Sequence, residues 1–352
     1  MKRLDNPTHR FEQVALDWEV PPPEVHIEVY EDATKSILAE NNSPDIGFRW
    51  SLNPYRGCTH ACAYCYARPS HEYLGFGAGT DFDTRIAVKL KAPELLREAL
   101  AKRSWRRELI AFSGDTDCYQ PLEAQYLLTR RCLEVCLEFG NPVGLITKSF
   151  LVTRDVDILE AMAREGLVSV AISVAFADDD MARLMEPGAP RPSKRIEALA
   201  RLAAAGVPCE VVVAPIIPGL NDDQIPAILE RARAAGAVGA GHVLLRLPGA
   251  VREVFLTRLK EKFPLRAKRV EALLAEARDG RLNDPRFGHR MTGSGPYWEA
   301  VAASFELHCR RLGLTAERCV LEPKPRPVPL RGQMNLFDPP AAKATAGSRR
   351  MR

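Results

Sequence analysis

The sequence lacks the features of membrane, secreted or strongly charged proteins. No stretch approaches the roughly 20 apolar residues that cross a membrane, and the amino terminus is polar. The net charge is only +4 over 352 residues, so the total gives no argument for nucleic acid. The nine cysteines are an odd number and do not form a secreted disulfide framework. We therefore expect a soluble protein of the reducing cytoplasm, with no membrane partner.

Regular alternation of strands and helices sets the expected fold class, which is α/β. A chain of 352 residues can form two average domains or one barrel with additions. Short apolar runs predict six strands, and no hairpin signals separate them, which indicates right-handed β-α units in a curved parallel sheet. The predicted strands are 48–53, 109–113, 143–147, 168–174, 211–217 and 242–247, with helices at 92–103, 122–139, 155–165, 193–205 and 222–235.

The composition changes on both sides of this series. Residues 1–43 are predicted to be an N-terminal leader that wraps the domain and adds a short strand at 25–30. Residues 44–250 would form the barrel-like domain, and residues 251–322 a basic helical C-terminal region. The tail, residues 323–352, is rich in Pro, Ala, Lys and Arg, which predicts disorder.

Three cysteines lie close together between residues 55 and 66. Cys58 and Cys62 are separated by three residues, and Cys62 and Cys65 by two. Thiolates so close on one loop suit an iron–sulfur cluster or zinc. A zinc site would need a fourth ligand, with His60 or His71 as the near candidates, whereas a cubane cluster can leave its fourth iron open.

With Tyr64 immediately before the last cysteine, this loop resembles that of the radical S-adenosylmethionine (radical SAM) enzymes. The resemblance implies a [4Fe-4S] cluster held by Cys58, Cys62 and Cys65, whose open iron binds S-adenosylmethionine (SAM). It implies that the reduced cluster cleaves SAM to a 5′-deoxyadenosyl radical, that Tyr64 lies beside the adenine, and that a donor such as flavodoxin or ferredoxin supplies the electron. It also implies a partial six-stranded β/α barrel, here with a leader and a helical C-terminal extension.

In parallel sheets the functional residues gather at the carboxyl ends of the strands. Ser113, Gly114 and Asp115 follow the second strand, where radical SAM enzymes hold the ammonium of SAM, so Asp115 or Asp117 would pair with the amine. Asp117 could equally cap the next helix. Lys148 ends the third strand, and a lysine there is costly unless it meets an anion.

Ser173 lies near the end of the fourth strand and Pro215 in the fifth. The apolar residues of the fifth strand could form the floor under the adenine. Together and in order, the strand-end motifs resemble the spore photoproduct lyase and DNA-repair-photolyase-like group. The likeness covers residues 49–247 and rests on segments 147–148, 172–173, 194–198 and 213–216. It implies that Lys148 binds the SAM carboxylate and that Ser173 hydrogen-bonds the methionyl or ribose part.

One departure from this group concerns the hydrogen donor. The group returns a hydrogen atom from a cysteine just after the second strand, where this chain has Gly114. Cys118 is either a displaced donor or an inert small apolar side chain. Reversal of a thymine dimer is therefore not assumed. The leading hypothesis is radical repair or modification of a nucleobase in DNA. The alternatives are a modifier of RNA, a peptide or a metabolite, and a non-catalytic metal-stabilised adaptor.

Two C-terminal segments support a nucleic-acid substrate. Residues 252–269 hold seven basic and two acidic side chains, and seven minus two leaves +5. This stripe is either a solvated helical face or a binding surface for phosphates. Residues 286–298 combine arginines, glycines and aromatics, which suits contact with a flipped or stacked base or an ordinary loop before the amphipathic segment 298–312.

A short motif in the tail suggests a protein partner. Residues 333–337 resemble the sliding-clamp-binding motif of bacteria, because a glutamine is followed by an aliphatic residue and a Leu-Phe pair. Such peptides anchor apolar side chains in a preformed pocket. Chance or docking onto the chain's own barrel is the alternative. The residues that would contact the clamp are Gln333, Met334, Leu336 and Phe337.

Overall fold

A computed structural model describes residues 2–4, 26–315 and 321 of the chain. Most of the predicted leader and nearly all of the predicted tail, with the clamp-binding-like motif at 333–337, lie outside the described residues.

Six parallel strands form the main sheet in the order in which they occur along the chain. Each is hydrogen-bonded to the next in parallel, and Leu38–Glu40 adds an antiparallel edge beside the first. Within the described residues the two edge strands do not pair, so the barrel is partial, as the sequence predicted. The parallel strands are β1 (Trp50–Leu52), β2 (Ile110–Phe112), β3 (Val143–Thr147), β4 (Val168–Ser173), β5 (Cys209–Ile216) and β6 (Gly239–Leu244).

Helices between the strands bury the sheet. The strands read as nearly continuous apolar runs because the sheet packs on both faces, and one large hydrophobic cluster joins strands and helices. The helices in the barrel region are Thr80–Thr84, Ala92–Leu100, Glu123–Tyr126, Leu128–Phe139, Val156–Arg164, Asp179–Met185, Pro192–Ala204 and Ile225–Ala234. Three 3-10 helices accompany them, at Arg68–Leu74, Phe150–Asp155 and Asp222–Gln224.

Most predicted elements differ from the observed ones by a few residues at their ends, and two of the differences have a clear physical cause. The helix predicted at 122–139 is two helices, because Leu127 adopts a left-handed conformation with φ of 55° and breaks the hydrogen-bond ladder. The last strand begins at Gly239 rather than at residue 242. Its first residues, Gly239 to Gly241, carry almost no side-chain signal, yet their backbone pairs with β5.

A second sheet of four strands stands beside the barrel and anchors the cysteine loop. It contains Lys2–Leu4, Glu28–Glu31, Arg85–Val88 and Tyr55–Arg56. The strand predicted at 25–30 is therefore present as Glu28–Glu31, but in this sheet. Tyr55–Arg56 ends two residues before Cys58, so the loop leaves from an ordered strand.

Three helices follow the last parallel strand in the described residues, and the third of them packs against the helix Ile225–Ala234. They are Val251–Lys262, Pro264–Glu276 and Pro296–Leu312. The loop before the last helix reaches back to the segment ahead of β1, where Arg290 pairs with Asp45 and Gly288 N donates to Asp45 Oδ1 at 2.6 Å. This contact bridges the open side of the barrel. No helix in the described ranges is long and apolar enough to span a bilayer.

Candidate active site

The cysteine loop is folded tightly by local backbone geometry. Gly57 and Ala61 have left-handed φ values of 77° and 54°. A Cβ on Gly57 would lie 2.9 Å from Phe82 O, so only glycine fits there. Cys58 N donates to the same Phe82 carbonyl at 2.9 Å, which fixes the start of the loop.

The three predicted ligand thiols lie near one another. Cys58 and Cys62 are buried and Cys65 is half-buried. The pKa of Cys62 is raised well above its usual value and the pKa of Cys65 is raised to about 11, chiefly by burial. Neighbouring thiols of the loop also raise both pKa values, whereas the charge of Lys148 lowers them. Over the residues that the structure describes, no three His, Cys, Asp or Glu side chains form a site for a single metal ion. Of the two histidines considered as a fourth ligand, His60 lies within hydrogen-bonding reach of the Cys58 thiol and of Asp117.

A buried arginine holds the loop in place. Arg68 is almost fully buried, and its Nε and Nη2 donate to Cys62 O at 3.0 and 2.9 Å. The same guanidinium donates to Gly79 O at 2.9 Å and pairs with Asp83 at 2.9 Å. Arg68 thus connects the middle of the loop to the segment that precedes Arg85–Val88. The sequence analysis missed this residue, although it follows Cys65 by only three positions.

The turn after helix Asp179–Met185 is in direct backbone contact with the cysteine loop. Gly188 N donates to His60 O at 3.1 Å, and a Cβ on Gly188 would lie 2.1 Å from Thr59 O. Ala63 N also donates to Met185 O at 2.9 Å. These backbone contacts require a residue without a side chain at position 188.

Tyr64 connects the loop to a buried ion pair. Its hydroxyl donates to Glu186, whose carboxylate pairs with Arg195, and both of these side chains are at most 1% exposed. The ring of Tyr64 lies 5.8 Å from Lys148 Nζ. The residue expected beside the adenine and the residue expected at the SAM carboxylate are therefore neighbours. Within the described part of the chain no carboxylate pairs with Lys148, so its charge is available for a ligand.

Asp117 connects the strand ends to the cysteine loop through hydrogen bonds and a contact with His60. It accepts from Thr147 Oγ1 at 2.6 Å and from Lys148 N at 2.8 Å, and His60 Nδ1 lies 3.4 Å away. Burial alone would raise the pKa of Asp117, but His60 and these donors hold it at about 2. Its oxygens are already occupied, which favours the structural reading over contact with the SAM amine.

Asp115 is the other acid considered for the SAM amine, and its carboxylate is less occupied than that of Asp117. Its backbone N donates to Asn53 Oδ1 at 3.0 Å. Burial raises the pKa of its carboxyl group, while a hydrogen bond from Ser70 and the charges of Lys89 and Arg56 oppose that shift. The structure places this carboxyl group among cations at the end of β2.

Ser113 and Gly114 shape the turn after β2. Ser113 has a φ of 77°, and its Oγ accepts from Cys118 N at 3.0 Å. A Cβ on Gly114 would meet Ser51 at an ordinary 3.4 Å, so the protein's own packing leaves room for a side chain there. The role of Ser113 and Gly114 in binding SAM stays a prediction.

Ser173 and Pro215 complete the series at the ends of β4 and β5. Ser173 Oγ donates to Ala214 O at 3.3 Å, and Arg195 Nη1 donates to Ser173 O at 3.2 Å. Pro215 is half-buried and follows a cis peptide bond. With the cysteine loop after β1, all the predicted site residues therefore lie at five adjacent strand ends.

Cys118 lies in the core rather than on a surface. Its side chain is fully buried, and its carbonyl accepts from Thr129 Oγ1 at 2.5 Å. Burial raises the pKa of the thiol well above its usual value. This environment favours the interpretation of Cys118 as a small apolar side chain over its interpretation as a hydrogen-atom donor. Four other cysteines are free and buried in the same way, namely Cys132, Cys136, Cys209 and Cys309.

Two aromatic side chains near the strand ends are exposed and stacked with arginines. Tyr66 is 49% exposed, donates to Gly114 O at 2.6 Å, and lies 5.6 Å from the Arg246 guanidinium. Phe287 is 56% exposed and lies 4.6 Å from that of Arg290. Arg246 Nη1 donates to Met291 Sδ at 3.6 Å, and Met291 directly follows Arg290, so the two pairs belong to neighbouring segments. We call these four residues the mouth pairs.

The sequence analysis found only half of the mouth pairs. Phe287 and Arg290 fall within the loop predicted to contact a base, whereas Tyr66 and Arg246 were missed. Tyr66 directly follows Cys65, and that position next to the last cysteine was the available signal.

Comparison with known proteins defines the class. A family described as the radical SAM superfamily matches residues 52–232, and the chain belongs to that superfamily. Its members use a [4Fe-4S] cluster and SAM. The residues present fit both groups, because three neighbouring thiols share one loop and Lys148, which has no carboxylate partner in the described part of the chain, lies beside Tyr64 of that loop.

The fold is that of spore photoproduct lyase. The structure of this lyase complexed with dinucleoside spore photoproduct superposes with a TM-score of 0.58 at 14% identity, covering 82% of this chain and 81% of the lyase. A variant of the lyase with bound AdoMet and dinucleoside spore photoproduct gives a TM-score of 0.54 at 16% identity, covering 82% and 80%.

Two relatives in sequence are informative. An uncharacterized protein of Mycobacterium tuberculosis (strain ATCC 25618 / H37Rv) is 39% identical over 241 residues, which are 68% of this chain and 71% of the relative. A protein of Pseudomonas phage M6 named radical SAM Nalpha-GlyT isomerase is 27% identical over 273 residues, which are 76% of this chain and 52% of the relative.

Proposed function

We propose that this radical SAM enzyme repairs or modifies a nucleobase in DNA. The observation that carries the proposal is the set of mouth pairs, in which two exposed aromatic rings each lie against an arginine, and one of the rings, Tyr66, directly follows Cys65. Aromatic faces stack on unpaired bases, and Arg246 would bind a phosphate that flanks such a base, whereas Arg290 is paired with Asp45 and holds its loop in place.

In this proposal residues at the ends of different strands bind different parts of the cluster and of SAM. Cys58, Cys62 and Cys65 hold the cluster, which together with SAM supplies the chemistry of hydrogen-atom abstraction. Lys148 binds the SAM carboxylate and Asp115 its ammonium group, while the ring of Tyr64 lies beside the adenine. Ser113, Gly114, Ser173 and Pro215, at the neighbouring strand ends, would complete the SAM site, and Asp117 positions the backbone of Lys148.

The solved structures support a nucleobase substrate through their printed ligand, since spore photoproduct lyase is complexed there with dinucleoside spore photoproduct. The identity to this chain is only 14%, so the lesion need not be the same. The buried Cys118 points the same way, because a fully buried thiol is poorly placed to return a hydrogen atom to a substrate.

A second candidate is a radical isomerisation of a modified base rather than a repair. The phage relative favours it, because its printed name is that of an isomerase. Both candidates use the same site and differ in the fate of the substrate radical. Mass spectrometry of the treated DNA distinguishes them, because an isomerisation leaves the mass of the nucleoside unchanged.

Two protein partners also belong to the proposal. A low-potential carrier such as flavodoxin or ferredoxin supplies the electron, and the bacterial sliding clamp binds Gln333, Met334, Leu336 and Phe337. Replacing Gln333, Leu336 and Phe337 by alanine abolishes clamp binding if the motif is used. Unchanged binding of this triple variant would remove the clamp from the account.

The experiment measures release of 5′-deoxyadenosine with and without irradiated, alkylated or crosslinked DNA. Phe287→Ala should weaken DNA binding and raise the half-saturating DNA concentration by roughly 5- to 150-fold, because stacking of one base is worth about 1–3 kcal/mol. Leu265→Ala is the matched control, since that side chain is 98% exposed and outside the mouth pairs. A Phe287→Ala variant that keeps full DNA affinity, or tighter binding of folded RNA than of any DNA, would contradict the proposal.

A further inference from the structure

A buried histidine lies within the cysteine loop, between two of the predicted cluster ligands. His60 is only 2% exposed, and it is two residues from Cys58 and two residues from Cys62. Its carbonyl oxygen accepts a hydrogen bond from Gly188 N at 3.1 Å. The backbone that carries the ring is therefore held in place from outside the loop.

Asp117 holds one side of the His60 ring. His60 Nδ1 lies 3.4 Å from Asp117 Oδ2. The carboxylate is itself fixed, because it accepts from Thr147 Oγ1 at 2.6 Å and from Lys148 N at 2.8 Å. A carboxylate that faces a histidine nitrogen keeps a proton on that nitrogen and sets the orientation of the ring. The direction of the His60 ring is thus determined by residues near the ends of β2 and β3.

The other ring nitrogen has no acceptor in the protein. His60 Nε2 is buried, and within the described part of the chain it makes no hydrogen bond. The Cys58 thiol lies within hydrogen-bonding reach of the ring, but it is not in the geometry of a bond to Nε2. A buried polar atom without a partner costs free energy. A neutral thiol is a weak acceptor, whereas the thiolate of a cluster ligand is a strong one, so a cluster bound at Cys58 would supply the missing partner.

A donor at Cys58 would complete the positive groups around the three ligands. The charge of Lys148 already acts on Cys62 and Cys65. His60 with a proton on both ring nitrogens is a cation, and it is the neighbour of Cys58. A reduced cluster carries one more negative charge than the oxidised cluster. Hydrogen bonds and positive charge at its sulfurs therefore favour the reduced form and raise the reduction potential.

We propose that His60, oriented by Asp117, donates a hydrogen bond to the sulfur of Cys58 and so raises the reduction potential of the cluster. His60 acts through Cys58, which makes it a positioning residue and not a catalytic one. Asp117 also holds the backbone of Lys148, so a single carboxylate fixes groups at the cluster and at the predicted SAM site. The inference rests on the proposed role of Cys58 as a cluster ligand and does not depend on a nucleobase as substrate.

A redox titration of the reconstituted full-length protein, followed by electron paramagnetic resonance (EPR) without SAM or DNA, tests the proposal. In His60→Leu the equilibrium constant for one-electron reduction should fall by about tenfold, which corresponds to about 59 mV. His60→Gln should lose less, because its amide keeps a neutral donor. His308→Leu is the matched control, since that ring is on the last helix, where Nδ1 lies 2.8 Å from Ser304 O. It should leave the potential unchanged.

Pulsed EPR of the reduced wild type tests the hydrogen bond itself. In deuterated water, with 15N-labelled histidine, the cluster should show coupling to an exchangeable deuteron and to a histidine nitrogen, and both signals should be absent in His60→Leu. A purely structural role would lower the iron content and leave the potential of the loaded fraction unchanged, and this result would overturn the proposal. If His60→Leu takes up no iron, the wild type still decides, because a cluster without coupling to a histidine nitrogen would contradict the hydrogen bond.

Discussion

Asp117 holds the backbone of Lys148 in place. The Lys148 N–H donates to Asp117 Oδ2 at 2.8 Å, which ties the end of β3 to the turn after β2. The lysine side chain is thereby directed over the ring of Tyr64, 5.8 Å from Nζ to the centre of the ring. A carboxylate that binds backbone rather than ligand thus sets the position of the cation expected to bind SAM.

Loss of the Lys148 charge should weaken SAM binding. Lys148→Ala removes a hydrogen bond between charged groups, worth about 1.5–3 kcal/mol, so the Kd for SAM should rise by roughly 10- to 150-fold. Equilibrium dialysis with the reconstituted protein measures it. Lys194→Ala is the control, since Lys194 is exposed and paired with Glu197. An unchanged Kd for Lys148→Ala would remove this residue from the SAM site.

A single methyl group on Gly188 should disturb the cluster site. In Gly188→Ala the new Cβ would fall 2.1 Å from Thr59 O, so the cysteine loop must shift. We expect anaerobic reconstitution to incorporate less than half of the iron that the wild type takes up, with the circular dichroism spectrum retained. Gly241→Ala, where no atom lies within 4 Å of the added Cβ, should take up iron normally. Full iron loading of Gly188→Ala would show that the loop tolerates the shift.

The buried pair of Glu186 and Arg195 should be costly to break. Both side chains are at most 1% exposed, and Arg195→Met leaves an unpaired charge, which lowers the free energy of unfolding by about 3–5 kcal/mol. The double variant Glu186→Gln/Arg195→Met should recover part of this loss. Urea denaturation measures both variants. Arg201→Ala, from an exposed pair with Glu197, should cost below about 1 kcal/mol. A similarly small loss for Arg195→Met would refute this role.

Stability should depend on pH through Lys89. Burial, followed by the charge of Arg56, lowers the pKa of this lysine from 10.5 to about 8. Between these values the unfolded chain binds the proton that the folded chain has lost, so the lysine's contribution to stability rises with pH. Relative to Lys89→Met, the wild type should gain about 3 kcal/mol between pH ~8 and pH ~10.5. A difference independent of pH would indicate an ordinary lysine pKa.

Local patterns were sufficient to predict the six strands and the cysteine loop. Each strand is a short apolar run because both faces of the sheet are covered, and the three cysteines are close in the sequence itself. The start of β6 was missed because Gly239 and Gly241 contribute no side chains. The sequence signal there is weak, whereas the pairing comes from the backbone of β5.

Contacts between distant segments could not be predicted in the same way. Glu186 and Arg195 look like ordinary surface charges until the fold buries them beside Tyr64. Arg246 meets Tyr66 only because β6 ends beside the cysteine loop. Such pairings depend on the three-dimensional arrangement of the strands, which the spacing of residues along the chain does not contain.

The rate of 5′-deoxyadenosine release by the anaerobically reconstituted enzyme tests the central claim most directly. The account predicts that SAM is cleaved and that at least one of the irradiated, alkylated or crosslinked DNAs raises the rate well above that with undamaged DNA. An enzyme that never cleaves SAM, or that cleaves it at a rate unaffected by every DNA in the panel, would contradict the account.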